Sequence, residues 1–337
     1  MFMIVSLEGD KVASRLAVDD ATGNIYFSAN RPGTGIGSSY IAVVTPDGKS
    51  KKTLVNNLSR ARAVALYSSK GLMFWTDIGF GAHVGRANMD GCKRKRIITT
   101  AIKSPNGIAI DFEEDFLFWS DGGRGVIERC SLVGADRQVL VKDPDAFIMA
   151  LVIDGDKLYY TAWNRGGITV VNKADGSNKH FLMESPVFAE LGDFLIVRPN
   201  KGTPVINQCT NNNGRCVGLC LPTPNGRTCA RADRVGLQPE GPTCVEEPSS
   251  TTKTSEPSST TKTSEPSSTT KTSEPSSTTK TSEPSSTTKT SDSITSLIIF
   301  PRLSALLIAR KWRRQEKETS NITLVTLAVH KRLGYHL

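Results

Sequence analysis

Three short aromatic stretches decide how this chain folds: residues 74–77 (FWTD), residues 118–121 (FWSD) and an altered copy at residues 159–163 (YYTAW). They recur at an interval of about 40 to 50 residues, a repeat length found in radial and stacked arrays. One such unit is too small to bury its own faces, so neighbouring units must pack against each other. The interval therefore predicts a repeated architecture.

Each aromatic stretch lies inside a longer unit. An apolar run ending in Asp precedes it, as at residues 107–111 and 151–154, and a turn rich in Asp and Gly follows it, as at residues 89–91 and 174–176. Turns of this composition between two runs of β-forming residues are typical of hairpins. Each unit is predicted to be four short antiparallel strands, which is one blade of an all-β propeller.

The number of units is unusual for a propeller. Four complete units are predicted, at about residues 12–56, 60–100, 105–144 and 147–184, and a fifth begins at 188–197. A propeller that does not close leaves strand edges and blade faces exposed. The chain is therefore expected to hold an incomplete ring.

The cysteines are concentrated after the last unit. Five of them crowd into residues 207–244, a segment too small to build its own core. Such density implies a disulfide framework and an oxidising compartment. A zinc site is the alternative, but it would need paired Cys-x-x-Cys or His ligands, and this segment contains neither. We therefore predict no metal and no cofactor.

The order of these features resembles the low-density lipoprotein receptor family, in which a propeller of YWTD repeats is followed by an EGF-like module. The resemblance is carried by the FWTD and FWSD stretches together with residues 209–222 (CTNNNGRCVGLCLP), and it extends over about residues 12–244. It implies a six-bladed propeller, of which residues 1–206 would supply about four to five blades. Residues 207–244 would form the EGF-like module.

The resemblance also implies how the cysteines pair. EGF-like modules of the family join the first Cys to the third and the second to the fourth, which carries over to Cys209–Cys220 and Cys216–Cys229. The fifth Cys of the family pattern is absent, because Ala230-Arg231 follows Cys229 where Ala-Cys is expected. Three cysteines are therefore expected to be unpaired: Cys92, Cys130 and Cys244.

The aromatic stretches themselves are predicted to be structural. Trp75 and Trp119 are expected to pack between blades, and Asp77 and Asp121 to bind neighbouring backbone, since alternating aromatic residues are what a blade core requires. Recognition is expected in the loops that follow. The candidate ligand-binding residues in those loops are Phe80, His83, Arg124, Trp163 and Arg165.

A basic run at residues 93–96 (KRKR) raises the alternative of nucleic acid or another polyanion as partner. The run contains no aromatic residues for base stacking, and blades of this type place a charged strand at this point. More than half of the net charge of +9 belongs to the segment after residue 291. A solvated edge strand is therefore predicted, and no nucleic-acid partner.

The region after residue 244 differs in composition from the rest. Residues 245–291 contain nonapeptide repeats of EPSSTTKTS, which lack core-forming residues and predict a disordered, O-glycosylated stalk. Residues 292–337 form a basic tail, expected to be partly helical. Its segment 294–309 is a candidate single-pass membrane anchor, weakened by a central Pro-Arg pair. Residues 1–5 lack the basic start and cleavage site of a signal peptide.

The sequence predicts a non-enzymatic protein at the cell surface or in the extracellular space. Only four His are present, and neither a Ser-His-Asp arrangement nor a His metal site is legible. The resemblance implies a receptor for an extracellular protein ligand, either of endocytic, lipoprotein-binding type or a Wnt co-receptor. The alternatives are a nidogen-like adhesion protein that binds matrix, or a truncated copy without function. Asn57, in the sequon Asn57-Leu58-Ser59, is the predicted N-glycosylation site.

Overall fold

The computed structural model describes residues 12–30, 38–184, 192–196, 204–233 and 244. Within these residues the strands form four four-stranded antiparallel sheets and one hairpin. Each four-stranded sheet uses strands consecutive in sequence, in meander order, as a propeller blade does. The prediction of an all-β propeller is confirmed.

The blades follow one another along the chain. Blade 1 comprises β1 (Val12–Val18), β2 (Ile25–Asn30), β3 (Ser39–Val44) and β4 (Lys51–Leu58). Blade 2 comprises β5 (Ala61–Tyr67), β6 (Leu72–Asp77), β7 (His83–Asn88) and β8 (Lys95–Ile98). Blade 3 comprises β9 (Pro105–Asp111), β10 (Phe116–Asp121), β11 (Val126–Ser131) and β12 (Gln138–Lys142). Blade 4 comprises β13 (Ile148–Asp154), β14 (Lys157–Ala162), β15 (Arg165–Asn172) and β16 (His180–Glu184).

The aromatic pair in each repeat serves two different interfaces between blades. Adjacent residues of a strand point to opposite faces of its sheet, so Phe74 and Trp75 face opposite ways. Trp75 packs in the core between blades 1 and 2, whereas Phe74 packs in the core between blades 2 and 3. Trp119 and Phe118 repeat the arrangement one blade later. Both faces of a central blade are thus buried, which explains why every residue of β6 is buried.

The acidic residue that ends each repeat stretch binds the backbone of the preceding loop. Asp77 accepts hydrogen bonds from the backbone N–H groups of Ser59 and Arg60, at 2.8 and 2.7 Å. Asp121 accepts from Lys103 and Ser104 at 2.7 and 2.8 Å. Each carboxylate therefore fixes the connection that enters its own blade.

The hydroxyl residue of the repeat joins one blade to the next. Thr76 Oγ1 accepts from the Ala63 N–H at 3.0 Å within blade 2, and donates to the Asn106 carbonyl of blade 3 at 2.9 Å. Ser28 Oγ donates in the same way from blade 1 to the Arg62 carbonyl of blade 2, at 2.7 Å. All three residues of the Trp-Thr-Asp stretch are thus part of the scaffold.

The outer face of blade 4 is covered by a short segment of chain. Phe194 is buried and packs with Ala150 and Ile168 of that blade. The fifth blade was predicted to begin at residues 188–197, and no strand is assigned in the part of that stretch that the structure describes, residues 192–196. Asp193, in this segment, forms an ion pair with Arg15 of blade 1.

The cysteine-rich segment forms a small hairpin of β17 (Leu219–Thr223) and β18 (Gly226–Ala230), preceded by a 3-10 turn at Asn212–Arg215. Leu219 and Leu221 are buried in the core between blades 1 and 2. Two disulfides hold the segment, and they are the two pairs that the resemblance implied: Cys209–Cys220 and Cys216–Cys229.

The expectation that Cys92 and Cys244 are unpaired is wrong. The two residues form a disulfide, with Cα atoms 5.5 Å apart. Cys92 follows the turn between β7 and β8, and the Asp90 carboxylate in that turn already accepts a hydrogen bond from Thr228 of the EGF-like segment. The turn and the segment are therefore close enough for the bond. Cys130 is unpaired, as expected, and its side chain is buried.

The basic run at residues 93–96 is exposed at all four positions, and its second half belongs to β8, the edge strand of blade 2. The prediction of a solvated edge strand is confirmed. Arg94 also contacts the neighbouring blade: it donates to the Leu54 carbonyl at 2.5 Å and to Asn56 Oδ1 at 3.3 Å, both in β4 of blade 1. Partial burial of its guanidinium lowers the pKa of Arg94.

The predicted stalk at 245–291, the tail at 292–337 and the candidate anchor at 294–309 lie outside the described residues. Among the residues that are described, none belongs to a helix long and apolar enough to span a membrane.

Candidate ligand-binding face

Antiparallel meander strands give each blade two ends. The turns after the first and third strands lie at one end, and the connections after the second and fourth strands lie at the other. The EGF-like segment contacts the first end: Asn207 Nδ2 donates to the Ser68 carbonyl and Asn24 Nδ2 to the Cys220 carbonyl, each at 3.2 Å. We call this end the module face. The opposite end, the loop face, carries residues 59–60, 78–82, 99–104, 122–125, 143–147 and 163–164.

Phe80 is the candidate most available to a partner. Its side chain is 83% exposed, the highest exposure among the phenylalanines that the structure describes. Its backbone N–H donates to Ser59 Oγ at 2.8 Å, so the loop is held against the connection from blade 1. Gly79 permits this approach, because a Cβ there would clash with Ser59. An exposed aromatic side chain on a braced loop is suited to protein recognition.

His83 is not available to a ligand. It is 2% exposed, its Nδ1 lies 3.0 Å from the Gly81 carbonyl oxygen, and its ring meets that of Trp75 edge to face. Burial lowers the pKa of His83, which favours the neutral imidazole. Although His83 follows the loop, it is the first residue of β7 and points into the blade. We therefore do not retain it as a ligand contact.

Arg124 braces blade 3. It pairs with Glu128 at 2.5 Å and donates to the Ala101 carbonyl at 2.6 Å. Glu128 is 1% exposed, and Arg137 pairs with it from the other side while lying over the Trp119 ring at 4.9 Å. The Arg124 guanidinium is thus held by the scaffold, with only part of it turned to solvent.

Arg165 has the equivalent position in blade 4. It pairs with Asp143 at 2.8 Å, and Lys179 and the Tyr160 hydroxyl bind the same carboxylate at 2.8 and 3.0 Å. Burial alone would raise the pKa of Asp143, but these hydrogen bonds outweigh it and the pKa lies below its usual value. Trp163 is half-buried, and its backbone N–H donates to the Phe147 carbonyl.

Sequence reasoning missed a group of arginines near the propeller axis. The first strands of consecutive blades contact each other, so they surround the axis. Arg15 of β1 and Arg62 of β5 both reach Met149 of β13: Arg15 Nη2 lies 3.3 Å from its carbonyl oxygen and Arg62 Nη2 3.8 Å from its sulfur. Both arginines could have been noticed in the sequence, because each interrupts a strand that is otherwise mostly apolar.

Comparison with known proteins agrees with this fold. The family model for the low-density lipoprotein receptor repeat class B matches residues 71–112, from the turn before β6 to the end of β9. Residues 71–112 therefore belong to the low-density lipoprotein receptor class B repeat family. The matched repeat contains the Phe74, Trp75 and Asp77 positions whose packing is described above.

Two relatives of this class B repeat chain are receptors for vitellogenin by name. The vitellogenin receptor Yl of Drosophila melanogaster is 32% identical over 234 residues, covering 68% of this chain and 11% of that protein. The vitellogenin receptor of Solenopsis invicta is 27% identical over 247 residues, covering 72% and 13%. The human low-density lipoprotein receptor-related protein 5-like protein is 32% identical over 154 residues, covering 45% and 61%. The chain thus spans about a tenth of the two vitellogenin receptors and less than two thirds of the third relative.

Among solved structures, the nidogen/laminin complex resembles the class B repeat chain with a TM-score of 0.38 and 20% identity. The match covers 51% of this chain and 81% of the other. A similarity of this size gives no information on the ligand.

Proposed function

We propose that this class B repeat chain is a non-enzymatic, extracellular module of receptor type that binds a protein ligand on its loop face. The observation that carries the proposal is the exposure of Phe80 on a loop braced by Ser59, at the end of the propeller opposite the EGF-like segment. Aromatic side chains are enriched at the energetic centres of protein interfaces. Phe80 is therefore assigned as a contact residue.

The relatives and the cysteines support the extracellular, receptor-type part of the proposal. The relatives reported above are named as receptors or as receptor-related, and none is named as an enzyme. Three disulfides connect described residues, and such bonds persist in oxidising compartments. We propose the same division of the chain as the sequence predicted: a partial propeller at 1–206, the EGF-like module at 207–244, a stalk at 245–291 and a tail at 292–337.

Ligands of lipoprotein, Wnt and matrix type are distinguished by direct binding. The full chain is immobilised and exposed in turn to purified vitellogenin, a Wnt protein and laminin. We expect one of the three to bind, and Phe80→Ala to weaken that binding by about tenfold, the effect of losing one interface centre.

The matched control is Phe112→Ala. Phe112 is 60% exposed, but it lies in a turn of the module face. Loss of binding in Phe112→Ala with none in Phe80→Ala would move the site to the module face. Failure of all three proteins to bind would overturn the receptor assignment.

A further inference from the structure

The basic run at residues 93–96 lies at the outer rim of the propeller, beside the seam between two blades. Its second half begins β8, the outermost strand of blade 2. Arg94 bonds to β4, the outermost strand of blade 1, and β4 itself begins with the lysine pair at residues 51–52. Two neighbouring edges of the propeller thus carry six cations. We call the residues 51–52 and 93–96 the basic rim.

Most of the charge on the basic rim has no acidic partner. Among the described residues, the one ion pair that the rim forms joins Lys52 to Asp233, at 3.5 Å. The guanidinium of Arg94 is held instead by three neutral acceptors, two backbone carbonyls and one side-chain amide oxygen. Arg94 is therefore fixed in position while its charge is left without a carboxylate to balance it.

The other blades show how a cation at the same position is neutralised. Arg94 directly precedes the outermost strand of blade 2, and Arg137 and Lys179 directly precede those of blades 3 and 4. Arg137 is paired with Glu128, and Lys179 is paired with Asp143 at 2.8 Å. Both carboxylates are buried. Of these three cations, only the one in blade 2 has no carboxylate partner.

The difference between the blades follows from one position in the third strand. In blade 3, Glu128 lies opposite Trp119 in the register between β10 and β11. In blade 2, Gly85 has the same position, opposite Trp75. A Cβ at Gly85 would lie 2.2 Å from the indole of Trp75, so this blade has no room for a carboxylate there. The uncompensated charge is thus built into the packing of blade 2.

We propose that the basic rim binds a sulfated polysaccharide of the cell surface or the extracellular matrix. Lys and Arg clustered along a short stretch of surface are suited to such polyanions. A guanidinium that is already fixed in position can donate N–H groups to an oxyanion at little further cost in side-chain entropy. The site goes beyond the proposed function, because it adds a second class of ligand at the blade edges, outside the loop face.

A sulfated polysaccharide fits the basic rim better than a nucleic acid. Proteins that bind single-stranded nucleic acid combine cations with aromatic side chains on which the bases stack. The basic rim contains no aromatic residue. The three disulfides are also typical of oxidising compartments, where sulfated polysaccharides rather than nucleic acids are the abundant polyanions.

The test measures the dissociation constant of the full chain for a heparin octasaccharide by titration calorimetry, at about 0.15 M ionic strength. The double variant Lys93→Gln, Lys95→Gln is expected to bind about tenfold more weakly than the original chain, since two exposed cations of the site are lost. The double variant Lys93→Arg, Lys95→Arg keeps both charges. It is expected to bind at least as tightly as the original chain.

The matched control is the double variant Lys103→Gln, Lys142→Gln. Both lysines are exposed and lie outside the basic rim, and the net charge falls by the same amount. This variant is expected to bind as the original chain does. Equal weakening in the two Gln variants would assign the binding to net charge and overturn the proposal. Unchanged binding in both would assign it to the basic residues after 291, which every variant keeps, and would overturn it too.

Two further probes test the class of the ligand. Heparin from which the sulfates have been removed keeps its carboxylates, and it is expected to bind about tenfold or more weakly than heparin of the same length. A DNA duplex is expected to bind more weakly than heparin at the same ionic strength. If DNA binds as tightly and is equally sensitive to Lys93→Gln, Lys95→Gln, the rim is a site for polyanions in general, and the assignment to sulfated polysaccharide is wrong.

Failure of this inference is distinguishable from failure of the proposed function. Phe80→Ala is expected to leave the affinity for heparin unchanged, and the Lys93→Gln, Lys95→Gln variant is expected to keep its affinity for a protein ligand on the loop face. Loss of one kind of binding without the other therefore removes one assignment and leaves the other in place.

Discussion

Cys92, in the turn between β7 and β8, is disulfide-bonded to Cys244, 152 positions later in the chain. This bond ties blade 2 to the end of the EGF-like segment. The segment lacks the fifth Cys that the resemblance implied, so its last Cys has no partner within the segment. A Cys in the propeller supplies that partner, and the last crosslink holds the segment to blade 2.

The number of free thiols tests this arrangement. The chain has seven cysteines, of which six are paired and only Cys130 is free. Unfolded, unreduced protein is expected to react with one equivalent of thiol reagent, Cys130→Ser with none and Cys92→Ser with two. Three free thiols in the original chain would contradict the Cys92–Cys244 bond.

The same bond is expected to contribute to stability. Removing a native disulfide from a small domain costs about 2–5 kcal/mol, and here the docking of the EGF-like segment on blade 2 would also be weakened. Denaturant unfolding of the double variant Cys92→Ser, Cys244→Ser measures this. An unfolding free energy equal to that of the original chain would show that the hydrogen bonds of Asp90 and Ser68 are enough to hold the segment.

Asp121 is expected to be structural. It accepts backbone hydrogen bonds from Lys103, Ser104 and Gly123, and it is fully buried. Asp121→Ala would leave these N–H groups without their acceptor, and we expect a loss of about 1–3 kcal/mol or more in the free energy of unfolding. Asp175→Ala, in an exposed turn of blade 4, is the control and should change stability by less than about 1 kcal/mol. Equal effects would refute the role given to Asp121.

Much of the fold could be predicted from the sequence, because the repeat places similar residues at similar depths of burial. The four blades follow from the aromatic stretches and Asp-Gly turns, and the buried roles of Trp75 and Asp121 follow from strand alternation. The Cys92–Cys244 bond was not predictable, since it depends on which turn the EGF-like segment docks against. That docking is set by contacts distant in sequence, such as Asn24 with Cys220.

The candidate site was predicted less well for a related reason. A position in a loop was taken as a sign that the side chain is exposed to solvent, and this is true of Phe80. His83 lies at the start of a strand and is buried, while Arg124 is engaged by a carboxylate, Glu128, that sequence does not identify as its partner. Charges in loops of a repeat protein can serve the contact between blades as well as a ligand.

Arg94 provides a test of that distinction. Because it bonds to Leu54 and Asn56 across the interface between blades, Arg94→Ala is expected to lower the free energy of unfolding by about 1–3 kcal/mol. Lys95→Ala, one position away, is expected to lower it by less than about 0.5 kcal/mol. Denaturant unfolding compares the two. Similar small effects would show that the hydrogen bonds of Arg94 to blade 1 add little to stability.

Asp143 is expected to make the protein sensitive to acid. Because its pKa in the folded chain lies below the usual 3.8, its contribution is present above that pH and is lost as the pH falls through the folded value. Asp143→Asn should be less stable near pH 7, and the difference from the original chain should shrink below about pH 4. Melting temperatures between pH 7 and pH 3 measure it. A difference that does not depend on pH would mean that the ion pairs of Arg165 and Lys179 add nothing.

Asn57 is expected to carry an N-linked glycan when the chain is secreted from animal cells. The structure places it in β4, exposed, at a bulge where its φ is 59°. Asn and Asp tolerate this left-handed conformation better than most residues. Asn57→Asp therefore removes the acceptor while keeping the backbone, and it is preferable to Ser59→Ala because Ser59 holds the Phe80 loop. Treatment with a glycosidase specific for N-linked glycans should increase the gel mobility of the original chain more than that of Asn57→Asp. Equal shifts would show that Asn57 is unoccupied.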